Sequence, residues 1–139
     1  MLMFGLSWLL CLTTALSAPV ALAGDATYYA APYIGRPMRN GEPYDPQAMT
    51  CAVSAALWVL SPDDLGCVGD ALFANRMCFA NRRLLVCSNA NCCVVTVTDT
   101  GDADAFAQHG VVVDLSRGAY RALFGRLDGK QQVRAWVLK

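Results

Sequence analysis

Cys51, Cys67, Cys78, Cys87, Cys92 and Cys93 lie close together in a chain of 139 residues, and no other feature limits its possible folds so much. An even set of cysteines in a short exported domain reads as a disulfide framework. A core of this size stabilises a fold modestly, and each native bridge adds about 2–4 kcal/mol. The competing reading is a zinc site, which needs Cys-x-x-Cys pairs or several histidines. This sequence has no such pair and a single histidine, His109. The expectation is a set of bridges with open connectivity, and neither metal nor cofactor.

Disulfides call for an oxidising compartment, and the first segment offers the route there. Met1 to Ala23 carries no charged side chain, holds a dense apolar run from Leu2 to Leu16, and ends in Ala21-Leu22-Ala23. This is the pattern of a secretory signal, although no Lys or Arg precedes the run. A retained membrane anchor is the alternative, since the stretch is barely long enough to span a bilayer. Pro19 and the small-residue ending favour cleavage. The expected organisation is a signal peptide over 1–23 and one domain over 24–139. The mature chain is expected to be secreted, periplasmic or associated with the cell wall, without stable membrane insertion. Acidic and basic residues balance at eleven each, so no global field draws nucleic acid. A monomer that meets a neutral polymer such as a glycan suits that balance.

Turn and strand signals divide the exported part into many short elements. Asp25 to Tyr33 has strand composition until Pro32. Gly35 to Pro46 is dense in turn formers around Tyr44, and Ser61-Pro62-Asp63-Asp64 reads as a helix start or turn. Leu84–Cys87 and Cys92–Thr98 form a hairpin about a Ser88–Asn91 turn. Cys92 and Cys93 then point to opposite faces and need different partners. Asp102 to Gly110 reads as a polar loop, and Val111–Val113 as a buried strand. Ser116 suits an N-cap for a helix from Arg117 to Phe124 that Gly125 ends. Gln132 to Leu138 is the last strand. The class is mainly β, a small barrel with one or two short helices.

Two carboxylates stand at strand ends. Asp99 precedes the Thr100-Gly101 turn, and Asp114 precedes the Ser116 cap. Acids leaving strands at one rim can converge on a glycosidic bond, one with its pKa raised to donate a proton. The plainer reading makes both of them turn and capping residues. Tyr28, Tyr29, Tyr33, Tyr44, Trp58 and Trp136 are many aromatics for so small a domain. The tryptophans suit core packing, while Tyr28, Tyr29 and Tyr44 lie near turn-rich segments and suit a groove.

Five short pieces occur in order: Gly24–Tyr29, Asn40–Asp45, Ala48–Val53, Val95–Gly101 and Val113–Ser116. Together they resemble the rare lipoprotein A (RlpA)-like family, whose domain is shared with expansins and barwin-like proteins. The resemblance implies a six-stranded double-psi β-barrel. Its lytic transglycosylase branch pairs an Asp-x-Gly aspartate, matched by Asp99, with a histidine where this chain has Val53. Its expansin branch uses the aspartate of Asp-Leu-Ser, matched by Asp114. Asp99, Thr27 and Tyr28 or Tyr29 match the types found nearby in that branch. The ending with Trp136 is similar to the last strand of bacterial expansins. These matches imply a binder and remodeller of cell-wall polysaccharide, peptidoglycan or a related glycan, acting without hydrolysis. The alternatives are a peptidoglycan lytic transglycosylase working through Asp99 and a non-catalytic disulfide-rich interaction module.

Overall fold

Six strands close into a barrel in the order β1-β5-β2-β4-β3-β6 in the computed structural model, which describes residues 21–53, 82–101 and 103–138. The strands are β1 (Leu22–Tyr28), β2 (Thr50–Val53), β3 (Arg83–Cys87), β4 (Cys92–Thr100), β5 (Val111–Leu115) and β6 (Gln131–Val137). Among the described residues two α-helices accompany them, α1 (Ala103–His109) and α2 (Arg117–Phe124). Strands β1 and β5 run parallel, as do β2 and β4, while the other neighbours are antiparallel. The helix-start signal at Ser61, together with Trp58, Cys67, Cys78 and most of the expected signal peptide, lies outside the described residues.

The lumen is filled by the inward half of each strand's alternation. Val53, Leu84, Val86, Val95, Val97, Val113 and Leu115 are buried there with Cys51. β-Branched residues dominate because they pack well on a pleated surface. Helix α2 closes one side against β1, β4 and β5, burying Ala119, Tyr120 and Leu123. Its ends are those read from the sequence. The Ser116 side chain accepts from the Ala119 N–H at 3.1 Å, and Gly125 takes the left-handed conformation at φ 76°.

Three features differ from the sequence reading. Strand β1 begins at Leu22, which pairs with Ala135, and Ala23 pairs with Arg134. The strand therefore starts three residues before Asp25, where strand composition was read from the sequence. The segment before Gly110 is a helix rather than a polar loop. Three alanines between Gly101 and Gly110 favour helix over the polar residues among them, and Gly110, at φ 65°, ends it.

The third difference concerns the cysteines. Cys87 and Cys92 are bonded across the hairpin turn, with Cα atoms 4.0 Å apart. Cys51 and Cys93 are free thiols. In register Cys51 faces Val97 and Leu115 on its two neighbours and Cys93 faces Val86, while both side chains pack into the same core. Burial raises the pKa of both thiols, that of Cys93 to about 11, which leaves them poor nucleophiles. The observed bridge closes a short loop, so its loss is expected to reduce stability by about 2 kcal/mol. Urea unfolding of the Cys87→Ser/Cys92→Ser variant measures this.

Gly101 ends β4 for a reason of space. Its N–H donates to the Val53 carbonyl at 3.1 Å, and a Cβ there would overlap the Phe106 ring of α1. Gly101→Ala is expected to lower stability by about 1–3 kcal/mol, through overpacking rather than backbone strain. Gly101→Ala/Phe106→Ala should recover part of that loss in the same urea titration. No recovery would show that Phe106 is not the obstacle.

Candidate functional site

Where β2 passes between β5 and β4, Ala52 stands opposite Asp114 on one side and Asp99 on the other. Its neighbours Cys51 and Val53 point into the lumen, so Ala52 and both acids face outwards. Asp99 reaches this row through a bulge. Cys51 pairs with Val97 but Ala52 pairs with Asp99, leaving Thr98 as the extra residue. Without it, plain alternation would turn Asp99 to the opposite face. On the far side, Thr27 of β1 is the register partner of Asp114 and donates its hydroxyl to Asp114 Oδ1 at 2.9 Å. Thr27, Asp114, Ala52 and Asp99 thus form one row across four strands on the outer wall.

The two acids have different surroundings. Asp99 Oδ1 accepts from the backbone N–H groups of Arg39 and Thr100 at 2.8 and 2.9 Å, and Oδ2 accepts from the Tyr29 hydroxyl at 2.8 Å. Three donors fix this carboxylate in place. Asp114 has the Thr27 donor alone among the bonds of the described residues. Burial raises its pKa to about 6; the Thr27 bond opposes that shift and the Asp99 charge adds to it. Asp114 is therefore the carboxyl able to exchange a proton near neutral pH.

A strand spacing near 4.8 Å puts the two aspartate Cα atoms about 10 Å apart, and Tyr29 crosses the gap. Its N–H donates to Leu115 beside Asp114, its hydroxyl reaches Asp99, and its ring packs with Met38, Tyr44 and Ala52 in a small cluster outside the barrel. Burial foremost, then the Asp99 charge and hydrogen bond, drive the Tyr29 pKa far up, so it remains a neutral donor. Tyr44 packs on Tyr29 at 4.5 Å between ring centroids, and its hydroxyl accepts from the Arg117 N–H at 3.1 Å. Arg117 Nε donates in turn to the Tyr29 carbonyl at 3.1 Å. The first turn of α2 thus clamps the tyrosine pair onto the wall.

The aromatic candidates separate by face. Tyr28 follows outward Thr27 and turns the other way, its ring 4.8 Å from that of Tyr120. It is half-buried against the core, with the Arg117 guanidinium 5.8 Å from its ring centroid. Tyr29 and Tyr44 are buried and act as the floor. Tyr33, in a short 3₁₀ turn (Ala31–Tyr33), is 50% exposed and stands 6.0 Å from Tyr29. It is the exposed aromatic of this cluster, with the Arg36 guanidinium 5.8 Å from its ring centroid, and nothing in its sequence position marked it beyond a neighbouring Pro32. Val53 is fully buried in the lumen, where no side chain exchanges protons with a ligand on the outer wall. His109 lies on the same flank as Thr27. With Thr27, Phe106, Val111 and Lys130 it lines an apolar cavity of ≈ 280 Å³ beside Asp114's partner.

No family model and no curated protein matches the chain. Solved structures do. A Streptomyces papain inhibitor superposes with a TM-score of 0.60 at 20% identity, over 86% of this chain and 96% of that one. An expansin of Clavibacter michiganensis superposes with a TM-score of 0.53 at 20% identity over 86% of this chain. A mutant of that expansin in complex with cellohexaose gives a TM-score of 0.55, also at 20% identity and over 86% of this chain. The chain spans 51% of the length of either expansin structure. With the closed six-stranded barrel, these likenesses establish an expansin-like double-psi β-barrel fold.

Proposed function

We propose that this chain is an exported wall-glycan-binding barrel that holds polysaccharide at Asp114 without hydrolysing it. The observation that carries the reading is the outward row of Thr27, Asp114, Ala52 and Asp99 with Tyr29 wedged across it. Acid/base cleavage needs two carboxyls facing one bond with room for water or for covalent attack. Here a buried tyrosine occupies the space between them, and Asp99 already accepts three hydrogen bonds. Asp114 retains acceptor capacity for sugar hydroxyls, and half-exposed Tyr33, backed by Arg36, stands ready as an aromatic contact. A cellohexaose complex of a structural neighbour supports a glycan as the ligand class.

Asp114→Ala is expected to keep the native circular dichroism spectrum and to lose at least tenfold in retention on insoluble wall polysaccharide. Peptidoglycan and cellulose serve as parallel substrates. Retention equal to that of the native chain would defeat the reading. Mass spectrometry of peptidoglycan after incubation should reveal no anhydro-sugar ends, whereas such ends would establish the transglycosylase alternative through Asp99.

A second reading rests on one observation, the coverage of nearly the whole papain inhibitor. It makes the barrel a protein-binding module, with exposed Tyr33 and Ile34 at the tip of the 31–37 turn as the contact. Inhibition of papain by the native chain, lost in Tyr33→Ala/Ile34→Ala, would favour it over the glycan.

A further inference from the structure

The opposite part of the outer wall carries a second set of outward polar residues. On β6, Gln132, Arg134 and Trp136 alternate with buried Val133 and Ala135, so all three side chains face out. Across the register, Asp25 of β1 stands beside Gln132, and Ala23, with its short side chain, beside Arg134. On the other flank Leu85 pairs with Trp136, and the Ser88–Asn91 turn rises past the end of β3. Small residues on β1 and taller ones around them leave a depression.

Two cavities occupy it. One, of ≈ 570 Å³, is lined by Gly24, Asn89, Gln132, Arg134 and Trp136. The other, of ≈ 650 Å³, is lined by Asp25, Asn89, Asn91, Lys130 and Gln132. They share Ser88, Asn89 and Gln132 and so form one groove. From Trp136 to Lys130 it extends about 20 Å at the rise of a strand. Lys130 also lines the apolar cavity that contains Thr27, the hydrogen-bond partner of Asp114.

The chemistry of the lining selects a ligand. Side-chain amides place a donor and an acceptor side by side, which matches adjacent sugar hydroxyls, and an indole offers a flat apolar face. Asp25, Lys130 and Arg134 mix both signs of charge, so the groove does not favour a highly charged polymer. We propose that this groove is a second contact surface for the glycan chain, holding the sugars beyond those at Asp114. The inference rests on the glycan-binding reading and extends it to a ligand of several sugar units. Two contact regions joined by one chain act as linked sites, so affinity should climb with chain length until both are spanned.

The test is calorimetric titration with cello-oligosaccharides and chito-oligosaccharides of increasing length. Gln132 and Arg134 are exposed, and the double variant Gln132→Ala/Arg134→Ala should fold as the native chain does. It is expected to lose about tenfold in affinity for the longest oligomers, about 1.4 kcal/mol, and little for the shortest. A fluorescence change on binding that disappears in Trp136→Phe would locate the sugar on the indole. Equal affinity of native and double variant at every length overturns the second surface. If Asp114→Ala still binds long oligomers and the double variant does not, this groove stands and the Asp114 site falls. Absence of binding by the native chain at any length removes both.

Discussion

Asp114→Asn is expected to be more stable than the native chain at pH 7 by about 3 kcal/mol, and the gap should close as the pH falls toward 4. The native carboxyl titrates near 6 in the fold, against 3.8 for an ordinary aspartate. Between those values the folded chain binds more protons than the unfolded one. Linkage then requires stability to fall as the pH rises through the window, with the whole contribution gone above about 6. Two pH units correspond to about 3 kcal/mol. Asparagine resembles the protonated acid in size and charge, and its oxygen can still accept from Thr27. It therefore keeps the low-pH stability at every pH. Chemical denaturation of both chains at several pH values between 4 and 8 measures the effect. A native chain as stable as the variant at pH 7 would show that the carboxyl is better solvated than its burial implies.

The same titration bears on function. On the proposed reading the ionised form of Asp114 is the one that meets the glycan, at a cost in stability that a neutral amide would avoid. An ionised acceptor makes stronger hydrogen bonds to hydroxyls than a neutral one. Glycan retention should accordingly weaken as the pH drops below about 6 in the native chain. In Asp114→Asn it should be weak and independent of pH over that range. A native profile that is flat across pH 6 would remove Asp114 from the contact.

How much of this was legible in the sequence follows from how local each feature is. The α2 helix, its Ser116 cap and its Gly125 end depend on neighbours a few residues away and were readable. So was the β3–β4 hairpin. The motifs placed Asp99 and Asp114 at strand ends, but not opposite the same residue, because that depends on Thr98 forming a bulge between strands that are not consecutive in sequence. The faces of the tyrosines were hidden for a related reason. A one-residue step turns Tyr28 toward Tyr120 and away from Thr27's side, and composition near a turn does not record it. Cys51 and Cys93 looked like bridge formers because parity and compartment are global arguments, whereas pairing depends on where each side chain lies in the closed barrel. The last strand was readable, but its alternation breaks at Ala135-Trp136-Val137-Leu138, so the outward row Gln132, Arg134, Trp136 was not. Its companions on β1 and the hairpin turn come from distant parts of the chain and appear only when the barrel closes.

Tyr120→Ala is expected to lower stability by about 3–5 kcal/mol, the range for removing a large aromatic from a core. Tyr120 is fully buried and is the largest such side chain among the described residues. Its ring packs against Tyr28 at 4.8 Å and Phe124 at 4.6 Å, and its hydroxyl donates to the carbonyls of Gly129 and Asp128 at 2.7 and 3.0 Å. It therefore fastens α2 both to β1 and to the loop before β6. Arg117 at the start of α2 holds Tyr29 and Tyr44, so a loosened helix also frees the floor under the two acids. Tyr120→Phe separates these effects. It keeps the ring packing and loses only the hydroxyl bonds, about 1 kcal/mol. Urea titrations should place the phenylalanine variant close to the native midpoint and the alanine variant far below it. Glycan retention under folding conditions should survive in the first and fall in the second before the chain unfolds. Equal losses in the two variants would mean that the hydroxyl, not the ring, anchors the helix. The route from α2 to the acidic row would then run through the loop at Asp128 and Gly129.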